Sequence, residues 1–253
     1  VKHALAINES IDPDVRPESA FSMRGHSVGG FGSVTTNKLI AGFVGELFNL
    51  EVQAYPKYGS EKKGLPTTYY LTVAREHLRT HCELNHVEFI PLNDVNAFNL
   101  GNPLEGIAHD GSIFIQSGEM DPQKVWDHIP EFGRRIIRNK RVRVFYLDTV
   151  KIAREVATDP DLQQRMQGVA LVGIFIKVTP FAADSGMDQE KVLGAVEKYI
   201  RKYFGKRGEH VVQENLMCVR RGLLDVMEIP REIIEVTVES RPAAPAESLV
   251  FAK

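Results

Sequence analysis

The stretch Ser22-Met23-Arg24-Gly25-His26-Ser27-Val28-Gly29-Gly30-Phe31-Gly32-Ser33 holds the residues best suited to grip a ligand by its backbone. Glycine tolerates positive φ and lets other groups approach the main chain. The run Ala20 to Met23 at its start reads as a buried strand. After it, Leu39, Ile40, Phe43, Val44 and Leu47 recur at the helical period. The glycines therefore fall in a strand-to-helix turn, where free N–H groups of the helix start face the turn. An anion is the occupant such a turn favours. Ser33 is the expected N-cap, its hydroxyl accepting from the first helical turn. The competing reading is a tight turn that seats the helix on the sheet and holds nothing. His26 has the same two readings: it donates to a bound anion, or it fills the turn.

A dinucleotide site would need Gly-x-Gly-x-x-Gly and an acidic residue at the end of the second strand. Ser27 stands where the first glycine would be, and the spacing is Gly29-Gly30-x-Gly32. The second strand runs out through Gln53-Ala54-Tyr55-Pro56, with no carboxylate for a ribose. Both points weigh against NAD or FAD. That strand leads into Lys57-Tyr58-Gly59-Ser60-Glu61-Lys62-Lys63-Gly64. In an open parallel sheet ligands gather at the carboxyl ends of strands, which puts this loop at the same edge as the glycine turn. Lysines serve phosphate as flexible point charges, so Lys57, Lys62 and Lys63 are candidate phosphate contacts. They read equally as a solvated basic loop, or as one paired through Glu61 to a partner.

Together these segments resemble the gamma subunit of the 2-oxoacid:ferredoxin oxidoreductases. That family reads Gly-x-Gly-Gly-Gln-Gly, then a helix, then Tyr-Gly-Pro-Glu-Arg-Arg-Gly-Gly. This chain has Ser27-Val28-Gly29-Gly30-Phe31-Gly32 and Tyr58-Gly59-Ser60-Glu61-Lys62-Lys63-Gly64, with Phe31 for the glutamine and Ser27 for the first glycine. The likeness covers about Ala20 to Phe181. It implies a Rossmann-like three-layer α/β domain in a hetero-oligomer with alpha, beta and ferredoxin-like delta subunits. Thiamine diphosphate, magnesium and [4Fe-4S] clusters would lie in those partners, and none in this chain. The complex would decarboxylate a 2-oxoacid, pass electrons to ferredoxin or a similar carrier, and give the acyl group to coenzyme A. The gamma-type chain would be inactive alone, complete the assembly and line the access route of coenzyme A. Ser27, Gly29, Gly30, Gly32 and Ser33, with Lys57, Tyr58, Gly59, Ser60, Glu61, Lys62 and Lys63, would face that ligand. Two alternatives stand beside this: a nucleotide-binding or assembly module without catalysis, and a subunit of a relative that does not use coenzyme A.

The rest of the chain supplies the frame. Hydrophobic residues make up 43% and charged residues 25%, ordinary for a globular α/β protein. A net charge of -2 argues against nucleic acid as a partner. The longest apolar run, Val169 to Ile176, is too short to span a bilayer, and the first residues show no signal-peptide pattern. Cys82 and Cys218 are too few for an iron–sulfur cluster and suit a reducing, cytoplasmic setting. Strands are expected at 66–74, 87–92, 111–117 and 143–147, with helices begun by Asp121-Pro122, Pro130 and Asp148-Thr149. The order implies a largely parallel sheet covered by helices. Pro160 to Val178 reads as one long buried helix, and 188–226 as two helices parted at Gly205–Gly208. The expected divisions are an arm at 1–19, the α/β domain at 20–181, a helical extension at 182–229 and an extended tail at 230–253. Arg134, Arg135, Arg138, Lys140 and Arg141 form a basic cluster that is either a solvated face or a phosphate site. His77 and His81, four apart with His86 near, lack the surroundings of a metal site.

Overall fold

The computed structural model describes residues 13–58, 64–79, 83–94 and 96–236. In chain order the elements are β1 (Phe21–Val28), α1 (Ser33–Phe48), β2 (Glu51–Tyr58), β3 (Pro66–Ala74), β4 (Val87–Leu92) and β5 (Ile107–Gln116). Then come α2 (Pro122–His128), α3 (Glu131–Asn139), β6 (Arg143–Leu147), α4 (Thr149–Val156), α5 (Pro160–Met166) and α6 (Ala170–Val178). The chain continues through α7 (Phe181–Asp184), α8 (Gln189–Phe204), α9 (Glu209–Asp225), β7 (Met227–Glu228) and α10 (Arg231–Glu235). Aspartates begin several helices as expected: the carboxylates of Asp121 and Asp148 accept from the amides of Gln123 and Lys151.

The strands form one sheet in the order β2-β3-β1-β4-β5-β6-β7. β1 pairs with β4, β4 with β5 and β5 with β6 in parallel. The β2/β3, β3/β1 and β6/β7 pairs are antiparallel. The sheet is thus mixed, not largely parallel. The cause is the short link between β2 and β3: too few residues lie there for a crossover helix, so β3 folds back as a hairpin. β3 then pairs along all of β1, from Phe21↔Val73 to Val28↔Pro66. β2 nevertheless points the same way as β1, with β3 between them, so its carboxyl end does reach the edge of the glycine turn.

Strand alternation splits the core in two. Met23, Tyr69, Leu71, Phe89, Phe114 and Phe145 face α1, α6, α8 and α9. Tyr70, Ile90, Ile113, Val144 and Tyr146 face Trp126 of α2, Ile137 of α3 and Ile234 of α10. The helices at 189–225 share the first of these cores.

Two further expectations change. The single helix expected over Pro160–Val178 is two, α5 and α6, broken around Gly168. A Cβ on Gly168 would lie 2.9 Å from both the Phe31 carbonyl and Thr36 Oγ1, so the break is where the glycine turn nests. The segment from residue 230 starts as the helix α10, held because Ile234 is buried and its carbonyl accepts from Arg138 Nε at 2.6 Å. Residues 1–12 and 237–253, with most of the arm and most of the tail, lie outside the described residues. The described part of the arm is pinned to its own sheet: Arg16 meets Glu88 through two hydrogen bonds of 2.9 and 2.8 Å.

Candidate functional site

β1 is longer than the sequence suggests and carries His26, Ser27 and Val28 inside the sheet. The turn is therefore Gly29 to Gly32. Gly30 and Gly32 have φ of 105° and 81°, the left-handed region where glycine is at ease. The N-cap of α1 is Gly32, not Ser33; Ser33 is the buried first residue of the helix. No side chain caps this helix, and its first turn holds no acidic residue. Positive helix-end potential is left facing the turn.

The two sequence segments meet here. The Gly29 amide donates to the Leu65 carbonyl at 2.8 Å, and the Gly64 amide donates to the Gly29 carbonyl at 2.9 Å. The turn and the end of the β2–β3 hairpin are thus joined through the backbone. Beside them lies a surface hollow of about 350 Å³, lined by Gly29, Gly30, Gly32, Ser33, Thr67 and Arg165 among others. Arg165, on α5, is exposed. No sequence motif marks it, and the chain places it here only through the α5–α6 break.

The turn also makes an internal contact. A Cβ on Gly32 would lie 2.1 Å from the Arg165 carbonyl, while Gly30 has nothing within 4 Å. The closest approach at the turn is therefore between Gly32 and this chain's own backbone.

The remaining candidates divide. Ser27 is buried, with an Oγ that has no partner. Lys57 is exposed and pairs with Glu83 at 2.5 Å, which holds its ammonium firmly protonated. Tyr58 ends β2. Gly59, Ser60, Glu61, Lys62 and Lys63 lie outside the described residues. The basic cluster is largely paired within the chain. Arg134 meets Glu131 at 3.1 Å, Arg141 meets Asp110 at 2.6 Å, and Lys140 donates to the Ile107 carbonyl at 2.5 Å. His77 lies 3.6 Å from Glu51, and His81 lies outside the described residues.

His26 sits within β1 rather than in the turn. Its imidazole is held at about 4, first by burial and then by the nearby Arg24 guanidinium. Arg24 itself is buried and donates to the carbonyls of Leu84 at 3.0 Å and Pro103 at 3.2 Å. Because the folded value is below the ordinary 6.5, the unfolded chain takes up this proton first as pH falls. The associated stability is complete above about pH 6.5 and is lost on acidification toward pH 4. Between pH 7 and pH 5 the expected loss from this group is about 2 kcal/mol. Urea midpoints at the two pH values measure it, and His26→Gln should remove most of the difference. An equal pH dependence in that variant would assign the effect elsewhere.

Among the described residues no group of three or more His, Cys, Asp or Glu is placed to hold a metal ion. Cys218 is buried, and burial pushes its thiol up to about 12, so it is not poised as a thiolate ligand. The described residues therefore do not fit an iron–sulfur cluster. Among them, no helix is long and apolar enough to cross a membrane.

Comparison with known proteins gives a consistent match. The sequence profile of the family described as pyruvate ferredoxin/flavodoxin oxidoreductase matches residues 22–224. The pyruvate-flavodoxin oxidoreductase of Trichormus variabilis is 26% identical over 220 residues, covering 86% of this chain and 18% of that protein. This chain spans about a fifth of the length of the first curated relatives it matches. Among solved structures, the pyruvate oxidoreductase subunit PORC from Thermotoga maritima aligns with a TM-score of 0.61 and 19% identity, over 84% of this chain and 100% of that one. A 2-oxoglutarate:ferredoxin oxidoreductase from Magnetococcus marinus, with 2-oxoglutarate, coenzyme A and succinyl-CoA bound, aligns with a TM-score of 0.59 and 18% identity, over 81% of this chain and 31% of that one. At these identities the structural likeness speaks for the fold.

Proposed function

The chain belongs to the pyruvate ferredoxin/flavodoxin oxidoreductase family, and from that membership we propose that it is the gamma-type part of a complex that oxidatively decarboxylates a 2-oxoacid and passes the acyl group to coenzyme A. In this reading alpha, beta and ferredoxin-like delta parts hold thiamine diphosphate, magnesium and the iron–sulfur clusters. Ferredoxin or a similar carrier takes the electrons. The cofactor supplies the bond-breaking chemistry, and the protein supplies binding, orientation and charge. The chain alone turns over no 2-oxoacid.

Its own task is to receive the phosphates of coenzyme A at the glycine turn. One observation carries this: the uncapped start of α1, the hairpin end and the exposed Arg165 all border one hollow. Helix N–H groups and a guanidinium are both suited to phosphate, the guanidinium through its rigid fork of donors. Lys62 and Lys63, which immediately precede Gly64 in the sequence, would add charge to the same task.

Arg165→Ala in the assembled complex is expected to raise the Michaelis constant for coenzyme A about five- to tenfold, from one lost phosphate contact of roughly 1 kcal/mol or a little more. The constant for the 2-oxoacid should stay put. The effect should shrink at high salt, where exposed charges are screened. A second reading has its own support: Gly32 approaches the Arg165 carbonyl, as a turn devoted to packing would. An unchanged coenzyme A constant at low salt would decide for that reading. Turnover that persists without coenzyme A would place the complex among relatives that do not use it.

A further inference from the structure

We propose that the basic surface at the end of α8 docks an acidic segment of the neighbouring part of the assembly, and that this segment seats one large apolar side chain in a slot at the α8–α9 corner. The inference rests on the coenzyme A reading in one respect: a ligand held at the glycine turn must reach chemistry supplied by a partner, so a partner stands against this end of the chain. It adds which surface the partner meets and what the partner must offer. The antiparallel packing of α1 and α8 builds that surface. Glu46, late in α1, accepts from Lys198 and Tyr199 of α8. Thr35, early in α1, borders the slot together with Tyr203 and Phe204 at the end of α8. Lys38 therefore stands level with the last turn of α8. Lys202 lies in that last turn, and Lys206 and Arg207 follow in the turn Gly205–Arg207.

Lys38, Lys202, Lys206 and Arg207 are exposed, and none of them makes a salt bridge among the described residues. Lys202 lies over the Tyr199 ring at 5.5 Å. The acids beside them are already engaged, Glu46 with Lys198 and Tyr199, and Glu209 with Arg201 at 2.7 Å. The surface thus carries free positive charge in a chain whose net charge is -2. Cations do suit the end of a helix. That preference explains neither Lys38, in the first half of α1, nor the apolar groups set among the charges. Tyr203 is 42% exposed. Beside it opens the slot, of about 170 Å³, walled by Leu162, Met166, Val169, Phe204 and Val211 and free of acidic residues. An apolar cavity of about 150 Å³ accepts a benzene ring, so the slot has room for a leucine or phenylalanine side chain. An exposed aromatic and an arginine at an apolar pocket, with charge around it, make up the composition of an interface hot spot. Lys38, Lys202 and Lys206 line neither the slot nor the hollow, so a small ligand at the turn leaves them unused. A polypeptide that fills the slot and carries carboxylates beside its apolar residue uses them all. Opposite charge across the contact then steers the encounter and fixes its orientation.

Two measurements on the intact complex test this. Carbodiimide, a zero-length cross-linker, should join Lys202 or Lys206 to an aspartate or glutamate of another part of the assembly, identified by mass spectrometry. Products confined to this chain overturn the dock. Mass photometry over a dilution series gives the second reading, the release of this chain from the complex. Lys202→Glu combined with Lys206→Glu should raise the apparent dissociation constant about tenfold at low salt and much less at high salt. Arg135→Glu combined with Lys177→Glu makes the same charge change at exposed positions on α3 and α6 and should leave release unchanged. Equal weakening by both pairs overturns the dock, because net charge alone would then account for it. Leu162→Trp, which fills the slot from a partly exposed position, should weaken assembly about tenfold or more at both salt levels. If that variant does not fold, Tyr203→Ala reads the same contact from an exposed position. Release unaffected by either overturns the apolar anchor. The Michaelis constant for coenzyme A should stay put in the Lys202→Glu, Lys206→Glu complex. A rise there without weaker assembly overturns the dock and gives these lysines to coenzyme A. Weaker assembly together with an inert Arg165→Ala leaves the dock standing and removes the coenzyme A reading.

Discussion

Gly222→Val is expected to destabilise the folded chain by more than about 4 kcal/mol. The helices α6 and α9 cross so closely that each needs a glycine at the contact. A Cβ on Gly222 would lie 2.0 Å from the Ala170 carbonyl, and one on Gly173 would lie 2.0 Å from the Val219 carbonyl. Both obstacles are backbone, so no rotamer change relieves them. The helices must move apart, and α6 is buried along nearly its whole length. Separation would loosen Leu171, Ile174, Phe175, Val219 and Leu223 together. Ordinary overpacking costs about 1–3 kcal/mol, but a clash that parts two buried helices belongs to the exceptional class above about 4 kcal/mol. Total stability of a domain is only about 5–15 kcal/mol. Thermal unfolding of the purified chain measures the effect, and at about 2–4 °C per kcal/mol the midpoint should fall by about 10 °C or more. Gly194→Ala, on the neighbouring α8 with nothing within 4 Å, is the matched control and should be close to neutral. A Gly222→Val chain that melts like its parent would mean the crossing is looser than described.

Gly32→Val should uncouple the glycine turn from the rest of the chain. Two penalties coincide. At φ 81° a β-branched side chain is strained by about 1–2 kcal/mol or more. The added Cβ also meets the Arg165 carbonyl at 2.1 Å, so α5 or the turn must shift. The expected loss is about 3–5 kcal/mol, with assembly failing alongside stability. Gly30→Ala separates the two penalties: its φ is 105°, but it has open space around it. That variant should lose only about 1–2 kcal/mol and should still assemble. Equal losses in both variants, read by thermal melts and by size-exclusion chromatography of the complex, would show that strain alone sets the cost and that the Arg165 contact is unimportant.

The sequence revealed the local signals well and the long-range ones poorly. Asp121, Asp148 and Asp188 cap their helices because a side-chain oxygen needs only nearby amides. The continuous apolar runs of β4, β5 and β6 were equally readable, since these strands are buried on both faces. The direction of β3 was not. The link from β2 is too short for a crossover helix only because β2 runs on to Tyr58, beyond where the sequence pattern of the second strand stops, and the pairing of β3 with β2 shows the hairpin. The break at Gly168 was hidden because apolar residues continue on both sides of it. At the site, Gly29 to Gly32 announced themselves by composition. Arg165 carries no motif and reaches the turn only through tertiary packing. His26 misled because its neighbours are glycines, whereas β1 extends through it and half-buries it.

The reciprocal hydrogen bonds between Gly29 and the 64–65 backbone make the turn and the hairpin end a single opening unit. Neither can swing out without breaking both bonds, so a state open at one place is open at the other. Any partner that steadies the hairpin end therefore steadies the start of α1, and any anion that steadies the turn tightens the hairpin by the same free energy. The sign of this coupling follows from the backbone alone and holds for whichever side chains occupy 59–63. Binding at the turn and docking at the hairpin are in this sense two readings of one equilibrium.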